Sequence, residues 1–205
     1  QGLKDSMIEL LSNEQDYTMR HILLDAMLPI FSTETENWPQ LLQYIESLAN
    51  ATDEASIELF LSIFTTILRY LSINFVGSLF ENLLLKAKTA LSTQSIPVIL
   101  AGSNLLRAIL TLISTEKEII ISVVMDMLNA FYLLLKNNSP IAGEVLNDIC
   151  LIFTQNTNFF DNIEPLLQQY FSIITDNSIP IENRCVCTEF LCTLIKQYPK
   201  ELEAQ

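Results

Sequence analysis

Glycine is scarce in this sequence, with four residues among 205, and proline occurs only seven times. The glycine-rich phosphate loop and the G-x-S-x-G turn that exposes a nucleophilic serine are both missing. Segments in which Val and Thr alternate between turn residues are also missing, so β-strands are not expected. Low glycine and proline contents favour long helices instead.

Histidine and basic residues are few as well. The single histidine, His21, lies beside Arg20, and the sequence offers it no evident acid or nucleophile partner. The chain is therefore predicted not to be an enzyme and to use no cofactor. Eleven basic residues against 24 acidic ones give a net charge of −13. This balance argues against nucleic acid, which needs clustered Lys and Arg, and favours a basic protein partner. The alternative is that the acids only keep an apolar chain soluble.

The four cysteines do not have the spacing of a zinc site. Cys185 and Cys192 share a helix face, Cys187 points elsewhere, and Cys150 is far away in sequence. No second Cys or His cluster completes a tetrahedron, so no metal site is predicted. The thiols are expected to be reduced and buried, as in a cytosolic or nuclear protein.

Half of the residues are apolar and 17% are charged, which raises the question of a membrane helix. The most apolar stretch is Ile119 to Leu135, which contains Asp126 and Asn129. A spanning helix needs about 20 residues with few charges, and this stretch is shorter. No membrane insertion is predicted. A helix packed on two sides within a helical repeat would be equally apolar.

Helix-start signals recur at intervals of roughly 37 to 44 residues, the period of HEAT repeats. Inner helices are predicted to begin near Asp16, Asp53, Ser95, Ser139 and Ser178. Outer helices are predicted to begin near Trp38, Phe75, Glu116 and Phe159. The sequence therefore predicts an all-α fold, a HEAT-repeat α-solenoid in which about five antiparallel helix pairs form a right-handed superhelix.

Residues 3–205 are predicted to form a single solenoid, with units at approximately 3–37, 38–74, 75–114, 115–158 and 159–198. Gln1-Gly2 resembles the remnant of a cleaved tag, and no initiator Met precedes Leu3, so the chain is predicted to be a piece of a longer protein. Such a piece exposes apolar faces that its parent buries, and self-association through its cut ends is a further expectation.

Three local features are informative about helix starts. Ser139 followed by Pro140 combines a preferred N-cap with a preferred first helical residue. Thr115 to Glu118 has the pattern of a capping box ahead of an apolar run. Trp38 precedes Pro39 at a predicted helix start and is interpreted as a core residue rather than a partner contact.

Several segments resemble one family, the importin-β-type karyopherins, and within them the importin-5 group. They are Leu3 to Arg20, Asn37 to Leu42 with its Trp-Pro-x-x-Leu pattern, and Val145 to Leu166. Arg184, four residues after Pro180, and Arg20 resemble the arginine that recurs near the start of inner HEAT helices. The resemblance implies an internal part of the N-terminal half of a nuclear transport receptor.

The same resemblance implies partners and a location. The receptor would carry basic cargo proteins into the nucleus, release them on binding Ran-GTP and cross the pore through contacts with Phe-Gly nucleoporins. It would move between cytoplasm and nucleus. The alternative is a static HEAT-repeat scaffold or regulatory subunit that does not depend on Ran.

Candidate binding residues are the acids and amides predicted on the concave surface of the inner helices. Acids there would steer a basic partner, and amides would hydrogen-bond to it. The candidates are Glu54, Glu58, Asn104, Glu144, Asn147, Asp148, Glu182 and Asn183. The alternative is that all of them are simply solvated. Grooves between the outer helices would accept phenylalanine side chains.

Overall fold

The computed structural model describes residues 2–34, 37–112, 117–139, 141–155 and 164–197. These residues are helical apart from short turns and contain no strand, so the predicted all-α fold is confirmed. Consecutive helices pack as neighbouring pairs, which is compatible with an α-solenoid. The predicted helix starts near Glu116 and Phe159, with most of the capping box at Thr115, lie outside the described residues.

The helices alternate with short turns along the chain. They are α1 (Gly2–Asn13), α2 (Tyr17–Glu34), α3 (Pro39–Ala49), α4 (Glu54–Ile67), α5 (Ile73–Leu91), α6 (Ile96–Leu112), α7 (Lys117–Lys136), α8 (Ala142–Gln155), α9 (Glu164–Thr175) and α10 (Ile181–Gln197). A 3₁₀ turn, Leu68–Tyr70, follows α4. Odd-numbered helices correspond to the predicted outer helices and even-numbered ones to the inner helices.

Contacts divide the chain into two compact units, Gln1–Leu112 and Ile113–Gln205. In the first unit α1 packs on α2, α3 on α4 and α5 on α6; in the second, α7 packs on α8 and α9 on α10. These are the pairs that the sequence predicts. The single solenoid and its five unit boundaries stay predictions.

Helix α4 is the core of the first unit, because it packs against α2, α3 and α6. The run from Leu59 to Phe64 is buried on every side, which explains why the sequence there has no polar face. Asp53 is the N-cap, and its carboxylate accepts a hydrogen bond of 2.9 Å from the Ser56 N–H. Asp16 caps α2 in the same way, because its carboxylate accepts a hydrogen bond of 2.9 Å from the Met19 N–H. Both acidic helix-start signals are thus confirmed.

Trp38 is buried at the start of α3, as interpreted from its position before Pro39. Its ring lies 6.1 Å from that of Phe31, and the Lys4 ammonium lies 5.6 Å from the ring centroid. The aromatic ring therefore joins the first two helix pairs of the unit. Its indole N–H is buried and has no hydrogen-bond partner among the described residues.

Helices α5 and α6 approach each other closely at Gly102. A Cβ at this position would lie 2.8 Å from the Ala90 Cβ and 3.0 Å from the Ala87 carbonyl oxygen. Three small residues therefore bring the two backbones together. The outer helices α3 and α5 make few contacts with each other, whereas the inner helices α4 and α6 pack along their length.

The second unit has its core along α7, where Val123, Val124, Met127, Leu128 and Phe131 have no exposed surface. Among the described residues, one helix, Glu118–Lys136, has the length and composition to cross a membrane. Half of its most apolar window is buried inside the protein. A buried core helix meets the same two criteria, so the absence of membrane insertion stays a prediction.

The predicted N-cap at Ser139 is wrong. Helix α8 begins at Ala142, three residues later, and the Ser139 hydroxyl is buried with no hydrogen-bond partner in the part of the chain that the structure describes. The reason is the preceding turn, in which Asn138 adopts a left-handed φ of 51° and the Ser139 N–H bonds back to the Leu134 carbonyl at 2.9 Å. Ser139 thus ends α7 rather than starting α8.

Candidate functional site

Six of the eight predicted binding residues have exposed or half-exposed side chains. Glu54 lies in the first turn of α4, Glu144 and Asn147 lie on α8, and Glu182 lies in the first turn of α10; all four are exposed. Asn104 on α6 and Asn183 on α10 are half-buried. Asn183 donates to the Leu135 carbonyl and to Asn138 Oδ1, so it ties α10 to the end of α7.

The other two candidates, Glu58 and Asp148, are buried, with exposed fractions of 1% and 4%. The expectation that these two carboxylates face a partner or solvent is therefore wrong. Each lies four residues after an exposed acid, Glu54 or Glu144, and residues four apart share a helix face, yet only the first acid of each pair is exposed. A second helix covers the Glu58 end of the α4 face, because α2 packs there.

Glu58 is the centre of a buried polar cluster between α2 and α4. Its Oε2 lies 3.2 Å from Arg20 Nη2, and its Oε1 accepts from the Ser62 hydroxyl at 2.7 Å. Oε1 also lies 3.1 Å from Nε2 of His21, whose ring is 4.5 Å from that of Tyr17. The expectation that His21 has no acid partner is therefore wrong. The partner is 37 residues away in sequence, where spacing along one helix gives no signal.

The polar side chains of this cluster are connected through Glu58. The Ser62 hydroxyl, Arg20 Nη2 and His21 Nε2 all lie within 3.2 Å of its carboxylate oxygens. Arg20 is buried, and its Nε has no hydrogen-bond partner among the described residues. Two side chains of α2 thus converge on one carboxylate of α4, which indicates that the cluster holds these two helices together.

An apolar cavity of the first unit lies between the outer helices α3 and α5, with α4 as its floor. Its volume is about 270 Å³. Leu42 and Ile45 line it from α3, Phe75 and Leu79 from α5, and Phe60, Phe64 and Ile67 from α4. The Phe60 and Phe64 rings lie 4.9 Å apart. An apolar cavity of about 150 Å³ can hold benzene, so this one has room for a phenyl group.

The sequence predicts grooves between outer helices but not the residues that line this one. A signal was nevertheless present. Phe60, Phe64 and Ile67 recur at four and three residues on α4, and Phe75, Leu79 and Leu83 recur at four on α5. What the sequence could not give is that α3 and α5 make few contacts with each other and leave a cavity along these two apolar stripes.

In the second unit, Asp176 joins the turn after α9 to α7. It accepts from the Tyr132 hydroxyl at 2.6 Å and from the Ser178 N–H at 2.8 Å, and Lys136 Nζ lies 3.4 Å away. The hydrogen bond from Tyr132, followed by those from Ser178, holds the pKa of the Asp176 carboxyl well below its usual range. Arg184, which resembles the HEAT arginine, donates to the Ile174 carbonyl at 3.2 Å and to Asn177.

The cysteines differ in exposure. Cys187 is fully buried and Cys150 half-buried, and burial raises the pKa of each thiol to about 12. Both therefore stay protonated at neutral pH and are poor metal ligands. Cys185 and Cys192 are exposed, so the expectation of buried thiols is wrong for these two, although the prediction that Cys187 points away from them is confirmed. The described residues contain no group of three His, Cys, Asp or Glu that could hold a metal ion.

The helices and the groove define a class of protein, an all-α chain of sequential helix pairs compatible with an α-solenoid. No protein-family model, curated protein or solved structure matches this chain.

Proposed function

We propose that this chain is a protein-binding segment of an importin-β-type nuclear transport receptor and that the groove between α3 and α5 accepts phenylalanine side chains of Phe-Gly nucleoporins. The observation that carries the proposal is the open apolar cavity of about 270 Å³ between two outer helices. Its walls are aliphatic and aromatic, and its volume suits one phenyl ring.

The charge of the chain supports the proposed binding of basic protein partners. A net charge of −13, together with exposed Glu54, Glu144 and Glu182 on even-numbered helices, favours basic protein partners such as basic cargo proteins. Glu58 and Asp148 are not among the proposed binding residues, because they are buried. The proposed binding residues are thus the exposed acids together with the amides of Asn104 and Asn147, since the Asn183 amide already donates to Leu135 and Asn138.

The groove is tested by titrating the protein with a fluorescent Phe-Gly repeat peptide and with the same peptide carrying Ser in place of Phe. We expect anisotropy changes only with the Phe peptide. Leu79→Glu, which puts a charge into the apolar cavity, should weaken binding by roughly tenfold or more, about 1.4 kcal/mol. Ser78→Glu is the matched control, because it adds the same charge to an exposed neighbouring position.

The transport assignment is tested by a pull-down with Ran loaded with GTP or GDP. A transport receptor is expected to retain Ran-GTP and to release bound cargo as it does so. Equal recovery of both nucleotide forms, or of neither, would contradict the assignment and favour a static HEAT-repeat scaffold that still binds Phe peptides.

A further inference from the structure

A second cavity continues the groove between α3 and α5. Its volume is about 320 Å³. Ala49, Phe60 and Asn82 line both cavities, which shows that the two are consecutive. The first cavity extends along α5 from Phe75 to Leu83, and the second from Asn82 toward the end of the helix. A ligand longer than one side chain can therefore occupy both.

Lys86 gives the second cavity its charge. Its side chain is half-buried, with Nζ 2.8 Å from the Ala49 carbonyl oxygen and 5.4 Å from the centroid of the Phe60 ring. An ammonium has three N–H donors, and the carbonyl uses one of them. Apolar walls limit the screening of this charge by water. The cavity thus offers a carboxylate a charged partner.

Glu46 gives the first cavity the opposite charge at its edge, since it lines that cavity from α3. An acidic ligand group is repelled beside Glu46 in the first cavity and attracted by Lys86 in the second. The two side chains therefore favour the second cavity for the acid of a charged peptide.

Asn82 is placed where a peptide backbone would pass between the cavities. Its exposed side-chain amide offers two N–H donors and a carbonyl acceptor. An extended peptide has free backbone N–H and C=O groups that can pair with this amide. A helical peptide has already used those groups in its own hydrogen bonds, so Asn82 favours the extended form.

We propose that the α3–α5 groove binds an extended peptide in which a Phe fills the first cavity and an Asp or Glu carboxylate meets Lys86 in the second. This inference rests on the Phe site of the proposed function. Leu79 and Lys86 are seven residues apart on α5, or about 10.5 Å along the helix axis. An extended peptide in the polyproline II conformation rises about 3.1 Å per residue and returns to the same face every three residues, so the acid belongs three residues from the Phe.

The test uses fluorescent peptides with one Phe in a Ser/Gly background and a single Asp moved from one to seven residues away on either side. We expect the tightest binding when the Asp lies three residues from the Phe. That peptide should bind about tenfold more tightly than its Asn counterpart. Raising the salt concentration should reduce this difference, because the attraction is between charges.

Lys86→Met keeps an apolar stem and should abolish the preference for Asp over Asn while Phe binding remains. Lys88→Met is the matched control, with the same change of charge two residues along α5 and outside both cavities. The comparison of Asp with Asn peptides on the unaltered protein does not depend on either variant folding.

Other outcomes would overturn the inference. A maximum at seven residues would mean a helical peptide and would contradict the extended form. Phe-dependent binding that is indifferent to the position or charge of the acid would remove the carboxylate site and leave the proposed Phe site intact. No binding of any Phe peptide would overturn both.

Discussion

At the scale of residues, Arg20 and Glu58 are a buried pair of charges, with side chains 9% and 2% exposed. Removing one member of such a pair leaves the other without its charge partner in a low-dielectric site. Arg20→Met is therefore expected to lower the free energy of unfolding by about 3 kcal/mol, measured by urea denaturation. Glu58→Gln should cost less in the Arg20→Met background than alone, because the two effects share one interaction.

Arg69→Met is the control for Arg20→Met. Arg69 is exposed in the 3₁₀ turn after α4, and surface substitutions of this kind usually change stability by about 0.5 kcal/mol or less. Equal effects of the two Arg→Met variants would show that the buried pair does not stabilise the contact between α2 and α4.

The free energy of unfolding should depend on pH through the Asp176 carboxylate. Its pKa is lowered in the folded state, so its contribution is complete above the unfolded value of about 3.9 and is lost as the pH falls toward the folded value. Asp176→Asn should thus destabilise the protein at pH 6, and its deficit relative to wild type should shrink below about pH 4. Urea denaturation at several pH values measures this.

Tyr132→Phe tests why the pKa of Asp176 is low, because it removes the hydrogen bond that lowers this pKa most. In the Tyr132→Phe background, the pH-dependent effect of Asp176→Asn on stability should become smaller. A deficit for Asp176→Asn that is the same at pH 6 and pH 3 would show that the carboxylate is not stabilised by folding.

Residues whose role depends on local sequence were predictable, and those that depend on distant partners were not. Asp16 and Asp53 cap helices that begin one residue later, and Trp38 is buried beside Pro39 as expected. Glu58 looked like a solvated acid because two of its partners, Arg20 and His21, lie on another helix. Ser139 matched an N-cap in sequence, but the left-handed turn at Asn138 decides its role.

At the scale of elements, the close contact of α5 with α6 depends on the missing side chain of Gly102. A Cβ there would lie only 2.8 Å from the Ala90 Cβ, and its other close neighbour is the backbone oxygen of Ala87. Gly102→Ala should therefore force the two helices apart and cost roughly 1 to 3 kcal/mol, measured by thermal or urea denaturation.

Gly77→Ala is the matched control on α5, where a Cβ would meet nothing within 4 Å. Alanine is preferred over glycine inside a helix, so this variant should gain about 0.5 to 1 kcal/mol. If Gly102→Ala were also stabilising, the helices could adjust without loss, and the small residues would not fix their distance.

The helices themselves were the most predictable part of the molecule. Helix α3 begins at Pro39 and α6 at Ile96, as the starts near Trp38 and Ser95 predict, because proline and caps act locally. The groove between α3 and α5 was not predictable in detail. It depends on how far apart α3 and α5 stay, and the hydrogen bond between them, from Lys86 to the Ala49 carbonyl, joins residues 37 positions apart in sequence.

At the scale of the whole molecule, a charge of −13 should accelerate the capture of a basic partner through attraction that salt screens over about 8 to 10 Å. Association with Ran-GTP or a Lys-rich cargo should therefore slow as ionic strength rises, while dissociation changes less. Stopped-flow or surface-based kinetics at several salt concentrations would measure both rates.

The double variant Glu54→Lys and Glu144→Lys asks whether the even-numbered helices carry this attraction, since both acids are exposed on α4 and α8. Glu9→Lys with Glu118→Lys is the matched control, because it makes the same change of net charge at exposed positions on α1 and α7. We expect the first pair to slow association more than the second. Equal slowing would mean that net charge alone attracts the partner. No slowing by the first pair, with the fold intact, would remove Glu54 and Glu144 from the proposed binding residues and favour the static scaffold.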